Sequence, residues 1–598
     1  MRHTRRGPGR WLVSSLAATL MMVGVASAAS AHPAQGSGPD TASVASSTQK
    51  PATPAAGAAT NPGKGRASTP GKPDPTPGKG KPDPTGKPTF ETIQILNVSD
   101  FHGQLDPNDV FGVGNVGGAA ALATYFAQDR AENPNTLLFT AGDAVGASPP
   151  LSSFFEDRPT IEWMNEVRFT ADALGNHNFD FGLDRLQDQI DLAEFDYLAA
   201  NLDIPAGELT GVKPYEIYEV AGVKVAVIGL TNPEAPELTL PGSFGGITIT
   251  DPVEAAIEAR DAARREGATV FVVLPHMGVT NIDAAGTASG PLIDLANSLE
   301  GFDLILGDHT DVQFAEHING ALVTENRSKG LTYSKVDLEV NLRNGKVVDS
   351  SVEFVTPLAA AVEPDPATID LLAPYRVLLA EAFDGEVGIA TDFFPRGGNI
   401  ERDREVAIGN LIADSMRVTY GTDVAFTNGG GIRAALPSSY LPQDTLLRRL
   451  GSPYQVGPPF DLVIGDIYEV LPFGNDVLTR TVTGVQLHAV LEHGVGAMPA
   501  ANGRFPQISG FAFTYDVAAA AGSRVTDVVL DDGTPVLADG TTYTLATNNF
   551  VNAGGDGYSM LADGGGVTRD LMANVLLEYV QELGTITPTT DGRITRLN

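Results

Sequence analysis

A chain of 598 residues with 42% hydrophobic content is long enough for more than one domain with its own core. Its net charge of −34 and 7% aromatic content exclude a polyanion-binding scaffold, which needs Lys/Arg surfaces and stacking rings, but leave small phosphorylated ligands open. The absence of cysteine excludes disulfides, thiolate metal sites and cysteine nucleophiles.

Residues 1–31 read as an export signal. Arg2, Arg5, Arg6 and Arg10 form a positive region, Trp11 to Val25 is apolar, and Ala29-Ser30-Ala31 is a small-x-small cleavage site. A membrane anchor is the alternative, but the run is short for a span of roughly 20 residues, and no later run reaches that length. No integral membrane span is expected once the signal is removed. The Arg5-Arg6 pair raises a twin-arginine route, although Gly7-Pro8-Gly9 follows where an apolar residue is wanted.

Residues 32–89 offer few apolar side chains to bury and repeat Gly-Lys-Pro-Asp-Pro-Thr at Gly71 and Gly80. They are expected to form a disordered Pro/Gly/Lys-rich tether. Residues 1–90 hold eleven Lys/Arg and three Asp/Glu, so a basic arm precedes an acidic body.

From Phe90 the pattern changes. Strands are predicted over Thr92 to Val98, Thr136 to Ala141, within Phe169 to Leu174 and Ala193 to Ala200, and over Lys224 to Leu230, Thr269 to Leu274, Leu304 to Leu306 and Val347 to Val355. Helices are predicted over Gly117 to Asp129 and Pro252 to Glu266. Strands alternating with helices imply a layered α/β domain over 90–358. A solitary helix, Ala367 to Phe383, falls in a linker over 359–385. A second domain over 386–598 carries helices at Ala407 to Val418, Gly484 to Gly494 and Leu571 to Leu583, a strand at Val424 to Thr427, and a β-rich section from Phe511 to Ala546.

The chemistry follows the N-terminal strands. After successive strands come Asp100-Phe-His102, Gly142-Asp143, Gly175-Asn-His177, Pro275-His276 and Gly307-Asp-His-Thr-Asp311. In open α/β sheets, sites form where strand C-termini converge. Taken singly, an Asp after Gly is commonly a turn or a cap, and a lone His a structural residue. The set decides: four of the seven histidines beyond the tether stand at these strand ends. Oxygen and imidazole donors without sulfur suit divalent Zn, Mn, Mg or Ca. The stretch Ala173 to Asp180 adds a metal-type amide (Asn176), an imidazole for the reacting phosphate (His177) and a carboxylate to orient that imidazole (Asp180).

This set resembles the calcineurin-like metallophosphoesterase pattern D-x-H, G-D, G-N-H, H and G-H-x-H, and is similar to the bacterial 5′-nucleotidase/UDP-sugar hydrolase family. The resemblance implies two divalent metal ions. Asp100, His102, Asp143 and Asp311 would hold one; Asp143, Asn176, His276 and His309 would hold the other, with Asp143 bridging. The family's last position is usually His, sometimes an amide; here it is Asp311. A carboxylate there favours harder ions, Mn, Mg or Ca, over Zn, and metal identity stays open.

In the second half, Arg402-Asp-Arg404, Asn428-Gly-Gly-Gly-Ile-Arg433, Leu471-Pro-Phe-Gly-Asn475 and Phe550-Val-Asn-Ala-Gly-Gly-Asp-Gly557 supply Gly-rich backbone, guanidinium forks and aromatic rings. Tight turns are the plainer reading of the glycines. The tracts are similar to the C-terminal domain of the same family. The resemblance implies that Phe473 and Phe550 sandwich a base, that Asp556 holds ribose hydroxyls, and that Arg402, Asn428, Arg433 and Asn475 orient the nucleotide. Pro437 to Gly465 looks like an insertion beside this pocket, and His488 and His493 read as structural.

The expected fold is thus α/β: an N-terminal four-layer α/β/β/α metallophosphoesterase sandwich, joined by a helix to a C-terminal α+β substrate-binding domain. The implied function is a secreted phosphohydrolase that dephosphorylates nucleoside 5′-monophosphates and extends to UDP-sugars or NAD. Alternatives are a 2′,3′-cyclic-nucleotide phosphodiesterase/3′-nucleotidase, a thiosulfohydrolase-like enzyme, and a non-catalytic surface binding protein, which the intact ligand set disfavours. The partner is a small nucleotide and not a nucleic acid polymer; the oligomeric state is open.

Overall fold

The computed structural model describes residues 89–110, 113–283 and 285–598, so the expected signal and nearly all of the expected tether lie outside them. Strand Phe90–Val98 sets the first layer. Ile93 and Ile95 point to one face and Leu96 and Val98 to the other, and all four are buried. A strand buried on both faces needs cover on both. It lies in a seven-stranded sheet beside Tyr333–Asn341 on one side and, in parallel, Thr136–Thr140 and then Ala171–Ala173 on the other.

A six-stranded sheet packs against it, with Val223–Leu230, Val270–Pro275 and Leu304–Gly307 parallel at its centre. The seam between the sheets is apolar: Ile93, Ile95, Phe139 and Ala171 meet Val225, Val227, Val272, Leu274 and Leu306. The outer face of the first sheet is covered by Ala119–Glu132, Arg158–Glu166 and Gly182–Leu192 through Leu122, Phe126, Trp163 and Leu186. The outer face of the second is covered by Pro252–Arg265 and Pro291–Ser298. Helix Pro252–Arg265 starts where it does because Asp251 accepts from the amides of Val253 and Glu254, with Pro252 at its first position. This is the four-layer α/β/β/α sandwich the sequence implied.

Helix Pro366–Phe383 follows. Its rings lie on the first half (Phe155 on Tyr375, Phe154 on Phe383), and Phe383 also meets Tyr468 of the second half. The second half is built on a five-stranded sheet ordered Pro506–Ser509, Val424–Asn428, Thr542–Asn548, Asp476–Thr483, Val567–Leu571. Helices Ala407–Tyr420 and Met572–Leu583 cover one face, and Gly484–Gly494 covers the other. The Pro437 to Gly465 stretch is woven in: its strand Phe460–Val463 pairs with Glu386–Ala390, and Arg449 forms a buried ion pair with Asp466.

Candidate metal and substrate site

The parallel strands of both sheets point their C-terminal ends to one place. Asp100 and His102 follow Phe90–Val98, Asp143 follows Thr136–Thr140, and Asn176 and His177 follow Ala171–Ala173. From the other sheet, His276 follows Val270–Pro275, and His309 follows Leu304–Gly307. All seven residues are buried. Close approach of these turns needs glycine: a Cβ on Gly175 would lie 2.2 Å from Asp143 Oδ1, and one on Gly142 2.6 Å from His276 Nδ1. Asp100, His102, Asp143, His309 and Asp311 all have positive φ, between 38° and 88°. Such backbone is costly for side chains of this kind and persists where the surroundings fix it.

Two groups of donor atoms come together: His102, Asp143 and His177 in one, and Asp143, His276 and His309 in the other. Asp143 belongs to both. His276 Nε2 lies 3.0 Å from Asp143 Oδ2, 3.1 Å from Asn176 Oδ1 and 3.0 Å from His309 Nδ1. Asp100 Oδ1 stands 3.6 Å from His102 Nε2.

The outer ring nitrogens are fixed by backbone: His102 Nδ1 lies 2.9 Å from the Gly146 carbonyl, and His276 Nδ1 3.1 Å from that of Ala141. With those nitrogens donating, each Nε2 turns its lone pair inward. His177 Nδ1 lies 2.7 Å from Asp180 Oδ2, and the ring stands with His102 and Asp143 in one donor group. The amide of His177 donates to Asp143 Oδ1 at 2.8 Å, joining the dyad to the shared carboxylate.

These residues fit a divalent cation. Buried Asp100 Oδ1 has no hydrogen-bond donor among the described residues, and Asp143 Oδ2 meets the His276 ring at 3.0 Å. Burial, then the neighbouring Asp308, pushes the Asp100 carboxyl well above its usual range. Burial also pushes Asp308 up and drives His102 and His309 well below the ordinary imidazole value, so both rings are neutral. Burial would raise Asp143, but His276 and His177 outweigh it and hold that carboxyl low. Crowded acids beside the neutral imidazoles of His102 and His309 form a donor set that positive charge would relieve.

Asp311 stands half-buried beside this set, outside both donor groups. Its carboxylate acts on Lys329, Arg402 and Arg433 as well as on Asp100. The substrate-side residues reach the same place. Phe473 stacks on His177 with ring centres 6.1 Å apart and 12° between planes, and the Arg433 guanidinium lies over the Phe473 ring, 5.6 Å from its centre. Arg433 is buried, and its Nε and Nη1 have no hydrogen-bond acceptor among the described residues. Burial, then Arg402 and Arg396, brings its guanidinium down to about 9. Arg402 is buried nearby.

Asn428 donates to Asp556 Oδ2 at 2.7 Å, and Asn548 donates to Asn428 Oδ1 at 3.0 Å. The amide oxygen of buried Asn475 has no donor among the described residues. Phe550 is fully buried in the same apolar cluster as Phe473, against Gly555; Phe473 presents its ring to His177.

Several supporting side chains carry no local sequence signal. Asn232, after strand Val223–Leu230, lies 3.2 Å from His309 Nε2. Glu325 accepts from Thr310 and Val312 and so fixes the loop of His309 and Asp311. Asp172 accepts from the Gly142 amide. His493 lies 2.7 Å from the Asp556 carbonyl, at a residue with φ 56°, so the histidine read as structural braces a substrate-side loop. The one signal available was Asn232, which follows a predicted strand as the other donors do.

Residues 387–563 match the family model described as 5′-nucleotidase, C-terminal domain. Among curated proteins, the chain is 31% identical over 479 residues to Endonuclease YhcR of Bacillus subtilis, covering 77% of this chain and 37% of that one. It is 27% identical over 552 residues to the Trifunctional nucleotide phosphoesterase protein YfkN of the same organism, covering 84% and 35%. The chain thus spans just over a third of each of these relatives. Among solved structures, a 5′-nucleotidase precursor from Thermus thermophilus superposes with a TM-score of 0.71 at 27% identity, covering 85% of this chain and all of that one.

Proposed function

The chain belongs to the 5′-nucleotidase family, and from that premise we propose that it is an exported phosphohydrolase releasing phosphate from nucleoside 5′-monophosphates. The observation that carries this reading is the sharing of Asp143 between two donor groups, with the His177–Asp180 pair touching that same carboxylate. Two adjoining groups with one common carboxylate suit a pair of divalent ions. Bound there, the ions would supply Lewis-acid charge to the phosphoryl oxygens and acidify a water.

Asp100, His102 and Asp143 would hold one ion, and Asp143, Asn176, His276 and His309 the other. Asp311, half-buried beside the set, would add negative charge near the first. His177, oriented through Nδ1 by Asp180, would protonate the leaving nucleoside oxygen. Arg433 offers unpartnered N–H groups to the phosphate, and Arg402 stands beside it. Phe473 and Phe550 provide apolar faces for the base, and Asp556, held by Asn428, an acceptor for ribose hydroxyls. Asn475 adds an amide. The helix Pro366–Phe383, packed on both halves, is the pivot about which they would part to admit substrate. Among the described residues no helix is long and apolar enough to cross a membrane.

The test is a phosphate-release screen on chelated protein with Mn, Zn, Mg or Ca restored, using AMP, UMP, UDP-glucose, NAD and 2′,3′-cyclic AMP. Metal-dependent release from AMP or UMP is expected. Release from the cyclic ester alone, or from none, would overturn the reading.

A further inference from the structure

One buried carboxylate on the substrate side has no place in the reading so far. Glu401 is fully buried, and neither of its oxygens accepts a hydrogen bond of good geometry among the described residues. Its Oε1 instead lies 3.1 Å from Arg396 Nη2 and 3.4 Å from Arg402 Nε. An uncompensated buried carboxylate is expensive, so this one is kept by its two arginines.

The backbone is shaped to make the triad. Gly398 and Asn399 have φ of 71° and 55°, and these two consecutive left-handed residues turn the chain back within Gly397–Arg402. Arg396 is thereby brought over a carboxylate that follows it by five residues. The Glu401 carbonyl is held by Gln507 Nε2 at 2.9 Å, and the Arg402 carbonyl by the Asn502 amide at 3.0 Å. Arg396 itself donates through Nε to the Ile432 carbonyl at 2.8 Å, immediately before Arg433. One carboxylate therefore pairs with Arg402 and with an Arg396 whose Nε holds the backbone just before Arg433.

We propose that Glu401 is a positioning residue for the reaction, holding Arg402 in place and recruiting Arg396 as a further phosphate-orienting guanidinium. This rests on the phosphohydrolase reading, in which Arg402 and Arg433 meet the phosphate. A guanidinium is a fixed fork, and its value to a phosphate depends on how it is aimed. A carboxylate paired with two such forks restrains how both are aimed, and its removal takes that restraint from each while Arg396 keeps its bond to Ile432. Neither Arg396 nor Glu401 carries a motif: each gains its role from the turn between them.

The test is a KM and kcat series with AMP on the full chain. Glu401→Gln keeps shape and removes charge; it is expected to raise KM about tenfold and to change kcat by less than about twofold, the mark of lost ground-state binding. Glu401→Asp should recover part of that loss. Arg396→Ala, at a residue partly open to solvent, should raise KM about threefold and provides an arm that does not depend on Glu401 variants folding. In an Arg396→Ala, Arg402→Ala background, Glu401→Gln should add nothing further.

A purely structural triad would lower the melting temperature and leave KM for AMP unchanged in both single variants, which would overturn the proposal. An effect of Glu401→Gln that persists at full size without the arginines would overturn it too. If the unmodified chain releases no phosphate from AMP, the wider reading fails and this inference with it; if the chain is active but the single variants match it, only the inference fails.

Discussion

The two sides of the site are built on different principles. On the N-terminal side the donors stand directly after parallel strands, so the register of two sheets places them. On the C-terminal side Arg402, Arg433, Phe473 and Asp556 come from separate loops, and side-chain contacts place them: Glu401 for Arg402, and Asn428 for Asp556. A metal site demands fixed donors at short range, which sheet edges supply. A substrate site that opens and closes needs parts that move together, and loops braced by ion pairs supply that. Damage to the first side should therefore abolish chemistry, and damage to the second should weaken binding.

The largest expected effect is on the shared carboxylate. Asp143→Ala should cut phosphate release by at least about 10³-fold and lower bound metal by more than one ion per chain, read by elemental analysis. Full activity, or loss of a single ion, would break the sharing of Asp143 between two groups.

His177 lies on the seam, since it touches Asp143 through its amide, Asp180 through Nδ1, and the Phe473 ring. His177→Ala should lower kcat about 10²- to 10⁴-fold with metal content unchanged. Loss of an ion with it would move His177 into the metal shell, where its nearness to His102 and Asp143 also allows it to stand. The pH profile gives a second readout. Burial raises the Asp180 carboxyl to about 6 against the opposing pull of His177. Below that pH the carboxyl is neutral and no longer holds a charged imidazole, so activity should fall on the acid side near pH 6. Asp180→Asn should remove that limb. The sign for stability is the reverse: a raised carboxyl favours the folded chain below the unfolded value of about 3.8, and that benefit is lost as pH rises through about 6.

A smaller and different effect is expected on the substrate side. Phe473→Ala should raise KM for AMP about tenfold, in the range of one lost base stack, while a small aryl phosphate keeps its KM. An equal loss on both substrates would mean that Phe473 serves His177 and not the base. Phe550 is a poorer probe, because truncating a fully buried phenylalanine costs about 3–5 kcal/mol of stability whatever its role.

The same division explains what is legible in the chain alone. The strand alternation of Thr92 to Val98 and the apolar runs at Val223–Leu230 and Val270–Pro275 can be read because burial on one or both faces writes itself into local sequence. The polar residues after those strands are legible for the same reason: position along the chain implies position in space. Short elements such as Ala171–Ala173 give only a hint. Strand Tyr333–Asn341, which pairs with Phe90–Val98 along its length, is not among the predicted strands, although Val336, Leu338 and Val340 alternate into the core in the same way. Glu325 and His493 escape the sequence reading, or read as inert, because they matter through contacts distant in the chain, and Glu401 because the turn that pairs it with Arg396 and Arg402 carries no motif.

Asp311 gives the smallest expected effect and the finest test of the division, because its charge reaches both sides. It follows a strand of the second sheet and acts on Lys329 of its own half, yet its carboxylate also acts on Arg402 and Arg433 of the other. Asn at this position keeps the size and tolerates the observed φ of 63°. If Asp311 belongs to the metal side, Asp311→Asn should weaken Mn and Mg more than Zn, by about tenfold, since hard ions lose most from a missing carboxylate. KM for AMP at saturating metal would then change little. If it belongs to the substrate side, metal dissociation constants stay put and KM for AMP falls about threefold, because the phosphate no longer competes with a carboxylate for the arginines. Unchanged metal affinity and unchanged KM together would remove Asp311 from both sides and leave His102, Asp100 and Asp143 as the whole protein contribution to the first ion.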